Sequence, residues 1–336
     1  MGKTYRKLLI RLGVLLAIAV VALLAVVLGL PSNRQRLPNP NGYDEFVKAG
    51  QQVIDSPARY PDLDHKELEA LVSDNAEALR LLRVGLDEKC LMPVDSALSN
   101  MNELMSQMSG MKSLAQLLAA EGRLHEMDNQ PVEAARSYTD AMRLGNEMSR
   151  GGLLITRLVG VACEAIGCQR LAKVLPRLSR EESCIVMADL QAIDTTHVTW
   201  AEVIQAERSC TRYHIMHNLN PVEWAVGWWN TRQSVQKAEF RNKSVLAHER
   251  LLMADLALRC YKSERQNLPA RLEDLVPKYI SKVPQDPFSQ GPMVYRPQAG
   301  ATWLVYSVGP DGVDDGGRPA AKGWPVKGDI RVDSTW

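Results

Sequence analysis

The arrangement of apolar and polar positions divides the chain into four zones. From Leu12 to Leu30 (LGVLLAIAVVALLAVVLGL) no side chain is charged or polar. At ~1.5 Å per residue such a run crosses a hydrocarbon core of about 30 Å, which predicts a transmembrane helix. Lys3, Arg6, Lys7 and Arg11 precede it, and only Arg34 and Arg36 follow closely. Positive charge favours the cytoplasmic side, so residues 1–11 are expected to form a cytoplasmic tail and the rest to be exported. The apolar region of a cleaved signal peptide runs only ~7–15 residues and ends in a small-x-small site. Here the run is longer and ends Leu28-Gly29-Leu30-Pro31, which predicts an uncleaved anchor. Residues 31–42, polar with two prolines, then read as a linker leaving the membrane.

From Tyr43 to about His217 apolar residues recur at spacings of 3 and 4 with few glycines, the pattern of successive amphipathic helices. Asp64-His-Lys-Glu67, Ser179-Arg-Glu-Glu182 and Thr199-Trp-Ala-Glu202 each place a capping residue three before a Glu, predicting helix starts. Leu118, Gly122, Ala134, Tyr138 and Ala141 flank a turn at Met127-Asp-Asn-Gln130, with Pro131 opening the second helix. At these spacings the stretch from about Met111 to Gly145 resembles one tetratricopeptide-like hairpin, in which small residues let two helices approach and Tyr138 fills the wedge. No second copy follows at the expected period, which favours a bespoke bundle over a repeat array. Asn218 to Trp229 (NLNPVEWAVGWW) breaks the pattern with Pro221 and Gly227 and reads as a loop whose Trp224, Trp228 and Trp229 tuck onto the bundle rather than touch lipid. About Arg232 to Arg265 then reads as one long helix, with Val245, Leu252, Leu256 and Cys260 on one side.

Beyond Gln266 the pattern changes to prolines, glycines and short alternating runs. Met293-Val-Tyr-Arg296 and Thr302-Trp-Leu-Val-Tyr-Ser307 alternate like a β-hairpin across the Gln298-Ala-Gly300 turn. The expected fold is therefore mainly α: a transmembrane helix over 12–30, a helical-bundle ectodomain over 43–230, and a long helix with a small α+β module over 231–336.

Within that last zone stand a Leu-Pro stretch, Val283-Pro-Gln-Asp-Pro-Phe288, Tyr295, Tyr306-Ser-Val-Gly-Pro-Asp-Gly312 and Gly328-Asp-Ile330. Their order resembles the C-terminal domain of the major pseudopilin of bacterial type II secretion, over about Val245 to Trp336. The resemblance implies a long helix packed on a small antiparallel sheet and a calcium-binding loop after the last hairpin strand. Its ligands would fall on Asp311 and Asp329, with Asp314 and Asp315 nearby. Read from the residues alone, these aspartates lie in and around a Gly-rich segment (GPDGVDDGG) that is compatible with the oxygen-rich shell calcium requires but more often is an acidic turn; it is the resemblance that favours calcium. No Gly-Phe-x-x-x-Glu pattern precedes Leu12, and a long helical region separates anchor from module, so the likeness is to the module and not to a filament subunit.

Charge narrows the partners. A net charge of +1, Lys+Arg 40 against Asp+Glu 39, supplies no basic face for nucleic acid. Cys90, Cys163, Cys168, Cys184, Cys210 and Cys260 each sit in an apolar-periodic helical stretch and read as small core residues. Glu207, Cys210, His214 and His217 share a face of the helix opening at Thr199, where zinc would need a further ligand such as His248 or Glu249. His65, His125 and His197 have no partner at useful spacing and read as surface or cap-adjacent. No phosphate-binding loop, dinucleotide fingerprint, nucleophile elbow or Cys-x-x-Cys pair occurs. The expectation is a non-enzymatic, single-pass protein of the bacterial inner (cytoplasmic) membrane. Its periplasmic body would bind envelope proteins in a secretion or cell-surface assembly, and its module would hold calcium. The alternative is a membrane-tethered metalloenzyme on the Cys210 to His217 helix.

Overall fold

The computed structural model describes residues 36–334 apart from 56, 95–99, 218–220, 290 and 320–326; for 211–217 and 221–233 it describes the backbone alone. The expected span Leu12 to Leu30 lies outside the described residues, among which no helix is long and apolar enough to cross a membrane.

Helices dominate, and their starts follow local chemistry. The first, α1 (Gly42–Gln51), is capped by Asn41, whose amide also bonds the carbonyl of Leu91 at 3.0 Å and ties the helix to the chain after α3. In α2 (His65–Asp74) Asp64 and Glu67 close the expected capping box, and α3 (Ala76–Asp87) follows directly. Two long antiparallel helices come next, α4 (Met101–Met127) and α5 (Pro131–Glu147), with the turn where the sequence places it and Asn129 at φ 57°. A β-carbon on Gly122 would collide with the ring of Tyr138, so the small residue creates the space that the ring fills. The Tyr138 hydroxyl then donates to Glu126.

The next helix, α6 (Leu154–Val174), packs closely on α5 because Gly145 and Gly160 put backbone against backbone. Ser179 and Glu182 form the box that starts α7 (Arg180–Thr196), and Thr199 and Glu202 bond reciprocally at the start of α8 (Trp200–His217). The last helix, α9 (Pro221–Arg265), spans 45 residues and runs through the boundary expected near residue 230. The break that the sequence extends to Trp229 ends at Pro221, because proline suits a first helical position and one interior glycine costs only ~1 kcal/mol. The side chains of Trp224, Trp228 and Trp229 lie outside the described residues.

Every residue from 251 to 258 is buried. A helix covered all round lies inside a fold, and here α6 and α7 contact α9 while the C-terminal sheet also packs against it. That sheet has the order β1 (Val294–Gln298), β2 (Thr302–Ser307), β3 (Ile330–Arg331), all antiparallel, with Gln298 opposite Thr302 and Ser307 opposite Ile330. Trp303 donates its indole N–H to Asp255 at 2.9 Å, and Arg250 reaches the Gln285 carbonyl at 2.9 Å. One core runs from Tyr43 to Ile330, so bundle and module share α9 and a single apolar interior.

Candidate functional site

The aspartates expected to bind calcium all come to one loop, and most of their oxygens are already in use. Asp311 accepts the N–H groups of Val313 and Gly328, both at 3.3 Å. Asp314 accepts the Tyr306 hydroxyl at 2.7 Å, the Gly316 N–H at 2.9 Å and the Arg296 guanidinium at 2.7 Å. The Tyr306 hydroxyl, followed by the Gly316 N–H, holds this carboxyl below the usual carboxylate range. Asp329 is fully buried and accepts the N–H of Gly317 at 2.6 Å and of Asp315 at 3.4 Å. Burial pushes its carboxyl up, against the pull of those N–H groups. Calcium takes 6–8 oxygens, so an ion entering here would have to draw Asp314 away from Arg296. Hydrogen bonds to these carboxylates close the loop.

On the helix singled out for zinc, Glu207 accepts the Leu154 N–H at 2.9 Å and so caps α6. Cys210 is half-buried, and the side chains of His214 and His217 lie outside the described residues. Neither partner suggested for that helix is seen to serve it. His248 is buried and bonds the Ser244 carbonyl at 2.9 Å, while Glu249 points elsewhere.

Glu249 points into a cluster that the sequence reading misses. Among the described residues, the group of metal-ligating side chains whose donor atoms all lie within 4.8 Å of one another is Glu164, His197 and Glu249. They come from α6, the α7–α8 corner and α9. Arg157, one turn pair before Glu164 on α6, meets its carboxylate with two parallel bonds of 2.5 and 2.8 Å. The same guanidinium donates to Asn242 at 2.6 Å and lies 3.3 Å from His197 Nε2. The side chains of Arg157 and Glu164 are 1% and 0% exposed, respectively.

His197, expected at the surface, has a ring only 7% exposed. Its Nδ1 faces the Val198 carbonyl at 3.1 Å, which places the ring proton there and leaves the Nε2 lone pair to accept from Arg157 while facing the carboxylates. Burial, then the charge of Arg157, pushes its pKa down to about 3, so the ring is neutral. Glu249 is 2% exposed, and neither of its oxygens has a hydrogen-bond donor; one of them lies 3.6 Å from His197 Nε2. Burial, then the negative charge of Glu164, raises its carboxyl well above the ordinary range. Two ionised carboxylates no more than 4.8 Å apart would repel by at least about 3.5 kcal/mol at an effective dielectric of ~20, so one guanidinium does not settle the site.

His65 is exposed beside the Asp64 cap, as expected, but neither it nor His125 is without a partner: His65 lies 2.7 Å from Asp128 and His125 lies 2.9 Å from Gln130, at the hairpin turn. Cys184 is exposed rather than part of the core, and all six cysteines are free thiols.

A solvent-open cleft of about 420 Å³ lies between α3, α4, α5 and α7, lined by Arg83, Glu121, Ser137, Asp140, Arg143 and Asp189 among others. Arg83 bridges Glu121 at 2.5 Å and Asp140 at 3.3 Å, and Arg143 meets Asp140 at 3.2 Å. Both signs of charge are thus displayed in alternation on the hairpin's face.

No protein-family model, curated protein or solved structure matches this chain, so the likenesses to a pseudopilin module and to a tetratricopeptide hairpin rest on the motifs that suggest them.

Proposed function

We propose that this protein is a single-pass, membrane-tethered envelope protein without enzymatic activity, whose exported helical body binds other proteins and carries a pseudopilin-like sheet module. The observation that supports it most is the cleft on the hairpin face. Its charges are paired across three helices and remain open to water, a surface suited to a polar peptide segment and lacking the enclosed apolar pocket typical of small-molecule sites. Leu12 to Leu30 supplies the tether. Sharing α9 makes body and module one unit around a single apolar core.

The test is a photo-crosslinking amino acid at position 136, at the cleft's rim, in the full chain within intact cells. A discrete adduct with another envelope protein is expected, and alkaline carbonate should leave the chain in the membrane. Adducts confined to lipid, or release by carbonate, would remove this reading. Calcium in the Asp311 to Asp329 loop is a separate part of the proposal. Millimolar calcium should raise the melting temperature, and Asp311→Asn should abolish the rise; a melting curve indifferent to calcium removes the ion from the account.

A further inference from the structure

We propose that Glu164, His197 and Glu249 form a buried structural site for one divalent transition-metal ion, with zinc as the probe. Three observations converge on it. The donor atoms lie within 4.8 Å of one another, close enough to share one ion at the ~2.0–2.2 Å distances of Zn–N and Zn–O bonds after small side-chain shifts. The imidazole is prepared for ligation: Nδ1 is engaged by a backbone carbonyl, the outer-shell contact that metal-bound histidines make, and Nε2 faces the carboxylates. Glu249 is buried with both oxygens unsatisfied and aimed at that lone pair.

Charge shows what a cation would supply: the ionised form of Glu249 has no positive partner among the described residues. Arg157 is matched by Glu164, and Arg250 is engaged by Asp194 at 2.8 Å, so neither guanidinium is left for Glu249. An ion entering the cluster takes the Nε2 lone pair from Arg157, which keeps Asn242 and the second carboxylate oxygen as partners. Two carboxylates and one imidazole form an oxygen and nitrogen set suited to zinc, manganese or iron(II). With the ring 7% exposed and both carboxylates more deeply buried, no substrate reaches the ion. Its role is to fasten α6, the α7–α8 corner and α9 to one another. The site is independent of the anchor and of the cleft, so failure of the crosslinking experiment leaves it standing.

The test uses the full chain in detergent, stripped with a chelator, titrated with Zn²⁺, desalted and assayed for bound metal. One equivalent is expected, with a rise in melting temperature. Glu249→Gln, nearly isosteric, should weaken binding by at least about a hundredfold. His197→Ala provides a second variant should the first not fold, and Asp311→Asn should retain the equivalent. Cobalt(II) in place of zinc should give visible d–d bands that either ligand substitution removes. Substoichiometric zinc in the wild-type chain, or a full equivalent kept by both Glu249→Gln and His197→Ala, would overturn the proposal.

Discussion

The C-terminal loop and the α6–α9 cluster both gather carboxylates, and they meet the cost in opposite ways. In the loop, glycine-rich backbone turns its N–H groups toward Asp311, Asp314 and Asp329, and Arg296 adds a charge. In the cluster the chain is helical, its N–H groups are consumed within helices, and only side chains are left to act as donors. Arg157 satisfies Glu164 completely and Glu249 is left without a donor. Carboxylate number therefore says little about a cation site, whereas the supply of donors says much. By that count the conspicuous aspartate loop is closer to self-sufficient, and the inconspicuous helical cluster is the one with an unmet demand.

The largest expected effect breaks the cluster itself. Arg157→Met removes one partner of a fully buried pair and leaves Glu164 facing Glu249, which should cost about 3–5 kcal/mol in urea denaturation. The module offers the contrasting case of a saturated carboxylate. Asp286, 2% exposed, accepts the Ser307 hydroxyl at 2.8 Å and the N–H groups of Val308 and Phe288 at 2.9 Å. Asp286→Ala leaves these donors without an acceptor and should cost about 2–3 kcal/mol by the same measurement.

Asp194 lies between these extremes. Burial alone would raise its pKa, but the hydrogen bonds and charges of Arg250 and Lys282 outweigh it and hold the carboxyl below its ordinary value of 3.8. A carboxyl lowered on folding contributes stability that is present above the unfolded value and lost as pH falls through the folded one. Asp194→Asn should therefore cost about 1–2 kcal/mol near neutrality, with the difference from wild type disappearing in acid below pH 3.8. The smallest effect is expected at Arg296, whose pair with Asp314 is 50% and 40% exposed; Arg296→Met should change stability by less than about 1 kcal/mol.

What the sequence discloses is local. Three capping boxes and the turn before Pro131 depend on residues two to four apart and are found where the pattern places them, and the hairpin forms with its turn one residue later than expected, Gln298 pairing with Thr302. β3 is two residues long and carries no periodicity of its own. The cluster escapes a motif search because its ligands lie on three elements far apart in sequence, and the box at Thr199 makes His197 look like an exposed residue ahead of a cap. One signal was present: Arg157 and Glu164 stand seven apart on one face of α6, in a stretch from Leu154 to Cys168 that is otherwise apolar except for Thr156, a place where charge is affordable only in pairs.

Matched amide substitutions test the contrast most directly. In chelator-treated full chain, unfolding free energies of Glu249→Gln and Asp329→Asn are compared with wild type. Asp329→Asn places an amide against the N–H of Gly317 and Asp315 and should destabilise by about 1–2 kcal/mol, whereas Glu249→Gln removes a carboxyl that has no donor and should be neutral or stabilising. Equal losses at the two positions would contradict the account, because Glu249 would then have the partners that the structure denies it.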